Sequence, residues 1–179
     1  MSDLRVVASA ELDGSEWAEL TELCVAAFDE PWDGYWESIG PGVHVVARDD
    51  DGRIQAHAAI VDRALYPGVL IVPTAYVEAV AVLPERQHSG LGTEVMQVVN
   101  GMIDERYPLG ALGTGSQPFY ARLGWETWRG PTWIRLRDGS LERSADEDGG
   151  IMVRRTPSTP ATLDLDAPIA VDWRPGEVW

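Results

Sequence analysis

Gln87-His88-Ser89-Gly90-Leu91-Gly92 sets two glycines and a small hydroxyl between an extended apolar run and a run of helical periodicity. Glycines there remove side chains where backbone N–H groups must meet a ligand, and the helix start behind them supplies aligned donors for negative charge. A pyrophosphate fits that chemistry. The pattern is not a dinucleotide fingerprint, since Gln87 stands where the first glycine would be, nor a phosphate loop ending in Gly-Lys-Ser/Thr. Carboxylates gather in other stretches: Asp29, Glu30 and Asp33 in "DEPWD", Asp146, Glu147 and Asp148 in "DEDGG", and Glu177 in "GEVW". Taken singly each reads as a solvated loop; converging, they would make a cleft for a cation. His44, His57 and His88 show no metal-ligand spacing, so no metal site is expected.

The elements that must position these groups follow from periodicity. "LRVVA" reads as an opening strand, and "DGSEWAELTELCVAAF" carries apolar residues at helical spacing behind a capping box from Asp13 to Glu16. Cys24, the single cysteine, falls on the apolar face of that helix and is expected to be a buried thiol. "DEPWDGYWESIGPG" reads as an acidic, aromatic loop or short helix, and "VHVVARDDDGRIQAHAAIVDRAL" as a hairpin about an Asp-Gly turn. "TAYVEAVAVL" is a strand entering the glycine loop, after which Leu91, Val95, Val98, Val99 and Met102 recur at helical spacing until Pro108. "LGALGT" is a short strand, "SQPFYARL" a short helix stopped by Gly124, and "WETWRGPTWIRLR" a strand with a Pro-bearing interruption. Residues 138–150 read as an acidic loop and "IMVRR" as extended.

Length and charge restrict the function. A chain of 179 residues suits one domain, 1–179, with a substantial core. Fourteen basic against 29 acidic residues leave a net charge of −15, which excludes nucleic acid and anionic membrane as partners and favours a cationic ligand. The N-terminal residues lack the basic start and apolar run of a signal peptide, and no stretch approaches a membrane span, so a cytoplasmic protein is expected.

Gln87-x-x-Gly90-x-Gly92 resembles the Gln/Arg-x-x-Gly-x-Gly/Ala motif of the GCN5-related N-acetyltransferase (GNAT) superfamily. More widely, "YVEAVAV", "LGAL", "RLGW", "RGPT", "DEDGG" and "DWRPGEVW" resemble, in order and spacing, the aminoglycoside 2′-N-acetyltransferases over nearly the whole chain. The resemblance implies an α/β GNAT fold: a mixed, mostly antiparallel sheet with splayed central strands and helices on both faces. It implies acetyl-CoA as cosubstrate, held by Val80, Ala81 and Val82 of the strand and by Gln87, His88, Ser89, Gly90, Leu91, Gly92 and Thr93 of the loop and helix start. Glu78 would serve as base through water and Tyr120 as acid. Asp33, Glu78, Ala79, Gly113, Asp146, Glu147, Glu177 and Trp179 would line the aminoglycoside site, and the protein would be a homodimer.

Chemistry agrees with those roles. Only a neutral amine has the lone pair that attacks a thioester, so a polyammonium substrate needs a base, and fixed carboxylates hold its remaining charges. Trp179 would anchor the tail with its indole while its α-carboxylate adds an anion. The sequence departs from the family at Ala79, where a glycine is common, in the Gly-Thr-Gly after "LGAL", and at Glu147 and Glu177, where aspartates are expected. Two other readings stay open: an acetyltransferase for another polyamine or amino sugar, and a non-catalytic binder of aminoglycosides or acyl-CoA.

Overall fold

The computed structural model describes residues 3–179, which divide into two compact units. Of the described residues the first comprises those up to 61 and 77–101, the second 62–76 and 102–179. Two strands and a helix pass from one unit to the other: β3 (Ile54–Pro67), β4 (Val72–Val82) and α3 (Leu91–Arg106).

In the first unit β1 (Asp3–Ala8) pairs antiparallel with β2 (Gly42–Arg48), and β2 pairs antiparallel with β3. Helix α1 (Gly14–Phe28) starts as its sequence predicts. The Asp13 carboxylate accepts the N–H groups of Ser15 and Glu16 at 2.8 and 2.9 Å, and Glu16 reaches back to the Asp13 N–H at 3.1 Å. This satisfies donors that a helix start otherwise leaves open. Its inner face puts Leu20, Leu23 and Cys24 into a core with Val7, Val46, Ile54, Ala79 and Ala81. Cys24 is fully buried, as expected, and burial pushes its thiol up to about 12. The aromatic loop forms the short helix α2 (Tyr35–Ile39), whose Trp36 and Tyr35 pack on the same core.

In the second unit the strand order is β6 (Glu126–Thr127), β9 (Ile151–Arg155), β5 (Leu109–Gly113), β4, β3, β10 (Ile169–Asp172), β7 (Thr132–Arg135) and β8 (Leu141–Arg143). The pairings of β4 with β5 and of β10 with β7 are parallel, whereas β1 with β2, β2 with β3, β3 with β10, β5 with β9, β6 with β9 and β7 with β8 are antiparallel, so the sheet is mixed and mostly antiparallel as expected. The parallel ladder of β4 on β5 holds only Ala75↔Gly110 and Tyr76↔Ala111. Helix α4 (Gln117–Ala121) ends before Gly124, whose φ of +88° is a conformation only glycine adopts freely.

The sequence reading misses three elements of this unit. "WETWRGPTWIRLR" is two strands with different partners, β6 on β9 and β7 between β10 and β8. The acidic stretch from Asp138 to Gly150 contains strand β8 and a 3-10 turn, Ala145–Glu147. The strand β10 lies in a proline-flanked tail, and its edges are satisfied by β3 and β7. Among the described residues no helix is long and apolar enough to cross a membrane.

Candidate active site

Glu78 lies in β4 within the first unit and is 6% exposed, so its carboxylate needs partners. The hydroxyl of Tyr35 donates to Glu78 Oε2 at 2.8 Å. Tyr35 is held by Trp32, whose ring centre lies 4.1 Å away, and by Trp36 at 5.9 Å. The next residue, Ala79, has φ +49°, left-handed inside a strand. For a residue with a Cβ that costs about 1–2 kcal/mol, which explains why a glycine would be comfortable here. The freed Ala79 carbonyl accepts a hydrogen bond from His57 Nδ1 at 2.8 Å. Beyond the kink, Ala81 is buried and Val80 and Val82 are half-buried.

Strand β4 leaves through a 3-10 turn, Pro84–Arg86, into the glycine loop. Gln87, His88, Ser89 and Gly90 are exposed, with Leu91 buried and Gly92 and Thr93 half-buried as α3 begins. His88 and Gly90 have φ of +61° and +94°, and a Cβ on Gly90 would meet no atom within 4 Å. Gln87 folds back so that its side-chain amide reaches the Val82 carbonyl at 3.4 Å. The loop therefore presents the first-turn N–H groups of α3, which no helix satisfies internally, beside open space. An anionic diphosphate suits that donor set. Asp33 belongs to this unit also, exposed in the loop before α2.

The second unit contains a pocket of about 530 Å³. Five predicted residues line it: Gly113, Asp146, Glu147, Glu177 and Trp179. No basic side chain lines it among the described residues. Burial first, then Glu177 and Asp146, raise the Glu147 carboxyl above its usual range, the signature of crowded anions lacking a cation. Asp148 also borders the pocket but is already spent: Arg143 and the Thr132 N–H hold its carboxyl far below the usual range. Arg143 pairs with both Asp148 oxygens, and Thr132 N–H and hydroxyl add bonds of 3.0 and 2.9 Å. Asp148 therefore fixes the loop and contributes little net charge to the pocket.

Backbone ties position the walls. Thr114 N–H donates to the Gly150 carbonyl at 2.8 Å, Gly150 N–H to the Glu147 carbonyl at 2.9 Å, and the Gln117 side chain to the Gly149 carbonyl at 3.1 Å. Arg63 binds the carbonyls of Asp172 and Val178, which directs the last residues toward the pocket. Trp179 is 7% exposed, and its indole N–H donates to Ser144 Oγ at 3.0 Å. Tyr120, on α4, does not line this pocket. It is buried against Phe119 and Trp125, with ring centres 4.9 and 6.2 Å away, and burial pushes its phenol up to about 12. The proton therefore stays on the phenol at neutral pH.

Sequence reasoning missed Tyr35, His44, His57, Gln117 and Ser144. Only Tyr35 carried a signal, as a hydroxyl amid the tryptophans of an acidic loop. Among the described residues no group of three or more His, Cys, Asp or Glu side chains is arranged to hold a metal.

Comparison with known proteins identifies the family and the fold. The acetyltransferase (GNAT) domain family matches residues 5–128. An aminoglycoside 2′-N-acetyltransferase of Mycolicibacterium fortuitum is 34% identical over 98% of this chain and 91% of its own length. A GNAT-family N-acetyltransferase of Escherichia coli, solved with CoA, superimposes with a TM-score of 0.67 at 14% identity, over 95% of this chain and 89% of that one. A GNAT acetyltransferase of Brucella melitensis, solved with acetyl-CoA, gives 0.58 at 16% identity, over 94% and 95%. With the sheet, the glycine loop and full-length similarity in agreement, the chain belongs to the GNAT acetyltransferases and, among them, to the aminoglycoside 2′-N-acetyltransferase family.

Proposed function

We propose that this enzyme transfers the acetyl group of acetyl-CoA to the 2′-amine of an aminoglycoside. The observation that carries the reading is the pocket of Asp146, Glu147 and Glu177, where burial first and then the neighbouring acids raise Glu147 and, among the described residues, no basic side chain lines the walls. Such a site is stabilised by a bound polycation, and the full-length relative is named for acting on one. In this proposal the exposed loop from Gln87 to Gly90 and the start of α3, from Leu91 to Thr93, receive the pyrophosphate, while the backbone of Val80, Ala81 and Val82 meets the pantetheine arm. Asp33, Ala79 and Gly113 complete the aminoglycoside contacts.

The chemistry assigned to each residue is limited. The neutral amine nitrogen attacks the thioester carbon, a C–N bond forms, and the carbonyl electrons move onto oxygen. Glu78 receives the amine proton through one or two waters while Tyr35 holds its Oε2 in place. As the intermediate collapses, the C–S bond breaks and the leaving thiolate takes the proton of Tyr120. Backbone N–H groups of the kinked strand are the donors suited to the oxyanion.

The test follows CoA release with tobramycin, which has a 2′-amine, and with kanamycin A, which has a 2′-hydroxyl. Turnover of the first alone is expected. Equal turnover removes the 2′ assignment, and acetylation of spermidine with both antibiotics inert would replace it with a polyamine reading. Glu78→Gln and Tyr120→Phe should each lower kcat by about 10²–10⁴. Cellular resistance that survives both substitutions would mean sequestration rather than catalysis.

A further inference from the structure

We propose that Ser9, His44 and His57 form a buried hydrogen-bond relay that holds the backbone beside Glu78 in its kink, making His57 a positioning residue for the transfer. The proposal rests on the assignment of Glu78 as the base.

The relay has one possible direction. The Ala79 carbonyl can only accept, so the proton bonded to it at 2.8 Å sits on His57 Nδ1. A neutral imidazole then offers Nε2 as an acceptor, and the atom 2.8 Å from it is His44 Nδ1, which must carry its own proton. His44 Nε2 is left to accept, and Ser9 Oγ lies 2.8 Å from it. Ser9 Oγ in turn accepts the Gly42 N–H at 2.8 Å, and its one proton has two acceptors in reach, the Gly42 carbonyl at 3.1 Å and His44 Nε2, of which His44 is the nearer. The polarity of three side chains is thus dictated by one kinked peptide.

Burial and the neighbouring imidazole favour that neutral chain over the pull of the Ala79 carbonyl, which acts to raise His57. His57 and His44 are 0% and 1% exposed. Trp36 meets His57 edge-on with ring centres 5.6 Å apart and lies 6.1 Å from His44, while Trp17 stands 5.2 Å from His44 at 89°. None of the hydrogen-bond partners of the pair is a carboxylate. Burial accordingly lowers both imidazoles, to about 4 for His44 and about 3 for His57.

The kink is where this rigidity matters. The Ala79 carbonyl belongs to the same peptide as the Val80 N–H, so fixing one fixes the other. Rotation about Ala79 would also turn Glu78, whose Oε2 Tyr35 restrains. His57 thus sets both a base and a backbone donor without touching substrate.

Two measurements test the relay independently of Glu78. Nitrogen-15 NMR of labelled histidines, with His88 identified by His88→Asn, should show His44 and His57 both as neutral Nδ1–H tautomers at pH 7. Free imidazole prefers Nε2–H, so an Nε2–H tautomer at His57 overturns the relay. In melting experiments His57→Leu should lower Tm less in an Ala79→Gly background, because glycine adopts the left-handed conformation unaided. Independent, additive losses overturn it. The positioning role is read in kinetics: His57→Leu should lower kcat about tenfold or more with KM for acetyl-CoA unchanged. His57→Asn, whose amide N–H stands near the Nδ1 position, should restore most of it. An unchanged kcat, or no rescue by Asn, overturns positioning. Should His57→Leu fail to fold, Ser9→Ala serves, with a smaller fall in kcat expected and no fall overturning the role. A fully active Glu78→Gln would remove the base assignment while the tautomers and melting still report on the relay.

Discussion

Glu147 illustrates how one side chain converts local crowding into ligand preference. Its carboxyl is raised by burial and by the charges of Glu177 and Asp146, so in the free protein it holds its proton to a higher pH than an ordinary carboxylate. A bound ammonium favours the ionised form, so binding expels that proton. Affinity for an aminoglycoside should therefore be full above the raised pKa and weaken as pH falls through it, while the substrate amines stay charged. Calorimetric titration of tobramycin from neutral to acidic pH should show this limb. In Glu147→Gln the limb should move to lower pH and the neutral-pH Kd should rise about tenfold, the loss of about 1.4 kcal/mol expected for one charge-assisted contact. An identical limb in the variant would mean another group titrates. Tyr35 and His57 act on the same scale, and His57 has no local code. Their shared target is the Glu78–Ala79 kink, where a non-glycine residue takes φ +49° inside a strand.

Elements with a strong period were legible before the structure: α1 from its capping box, the hairpin of β2 and β3 from its Asp-Gly turn, and the strand, loop and helix about Gln87–Gly92. That Glu147, Glu177 and Trp179 share a pocket was legible through resemblance alone, because residues far apart in sequence converge only after β10 and the 3-10 turn of Ala145–Glu147 are in place. Strand β10 escaped because four residues beside a proline carry no usable period, and its pairing is decided by β3 and β7. What holds it there is the contact of residues 128–131 with 165–169. Arg129 and Gly130 N–H groups donate to the Leu165 carbonyl at 2.9 and 3.1 Å, and the Trp128 indole to the Ala167 carbonyl at 2.9 Å. A Cβ on Gly130 would lie 1.9 Å from the Ala167 carbonyl oxygen, so backbone must part from backbone. Gly130→Ala should cost about 2–3 kcal/mol and lower Tm by roughly 5–10 °C. Because β10 leads directly to Glu177 and Trp179, KM for the aminoglycoside should rise while KM for acetyl-CoA stays. A melting curve superimposable on that of the unaltered protein would refute this account.

Over the whole molecule charge does what no single carboxylate can. All 14 basic residues are arginines, and Arg5, Arg48, Arg129, Arg135, Arg143, Arg154 and Arg155 are engaged in ion pairs with acids. With no lysine present, the protein offers its own acetyl donor no ε-amine that could compete with the substrate. A net charge of −15 surrounds the pocket with a field that gathers polycations and repels polyanions. The two substrates carry opposite charge, so one field acts on them with opposite sign. Raising the salt from about 20 to 500 mM shortens the screening length from about 20 to 4 Å, which leaves contacts inside the pocket but removes the long-range part. KM for tobramycin should then rise several-fold, KM for acetyl-CoA should fall or stay level, and kcat should be unaffected because the chemistry occurs within the screened distance. Steady-state kinetics at both salt concentrations decides it. Two Michaelis constants moving in the same direction would show that salt acts on the fold or on catalysis, and that the acidic surface has no part in choosing the amine.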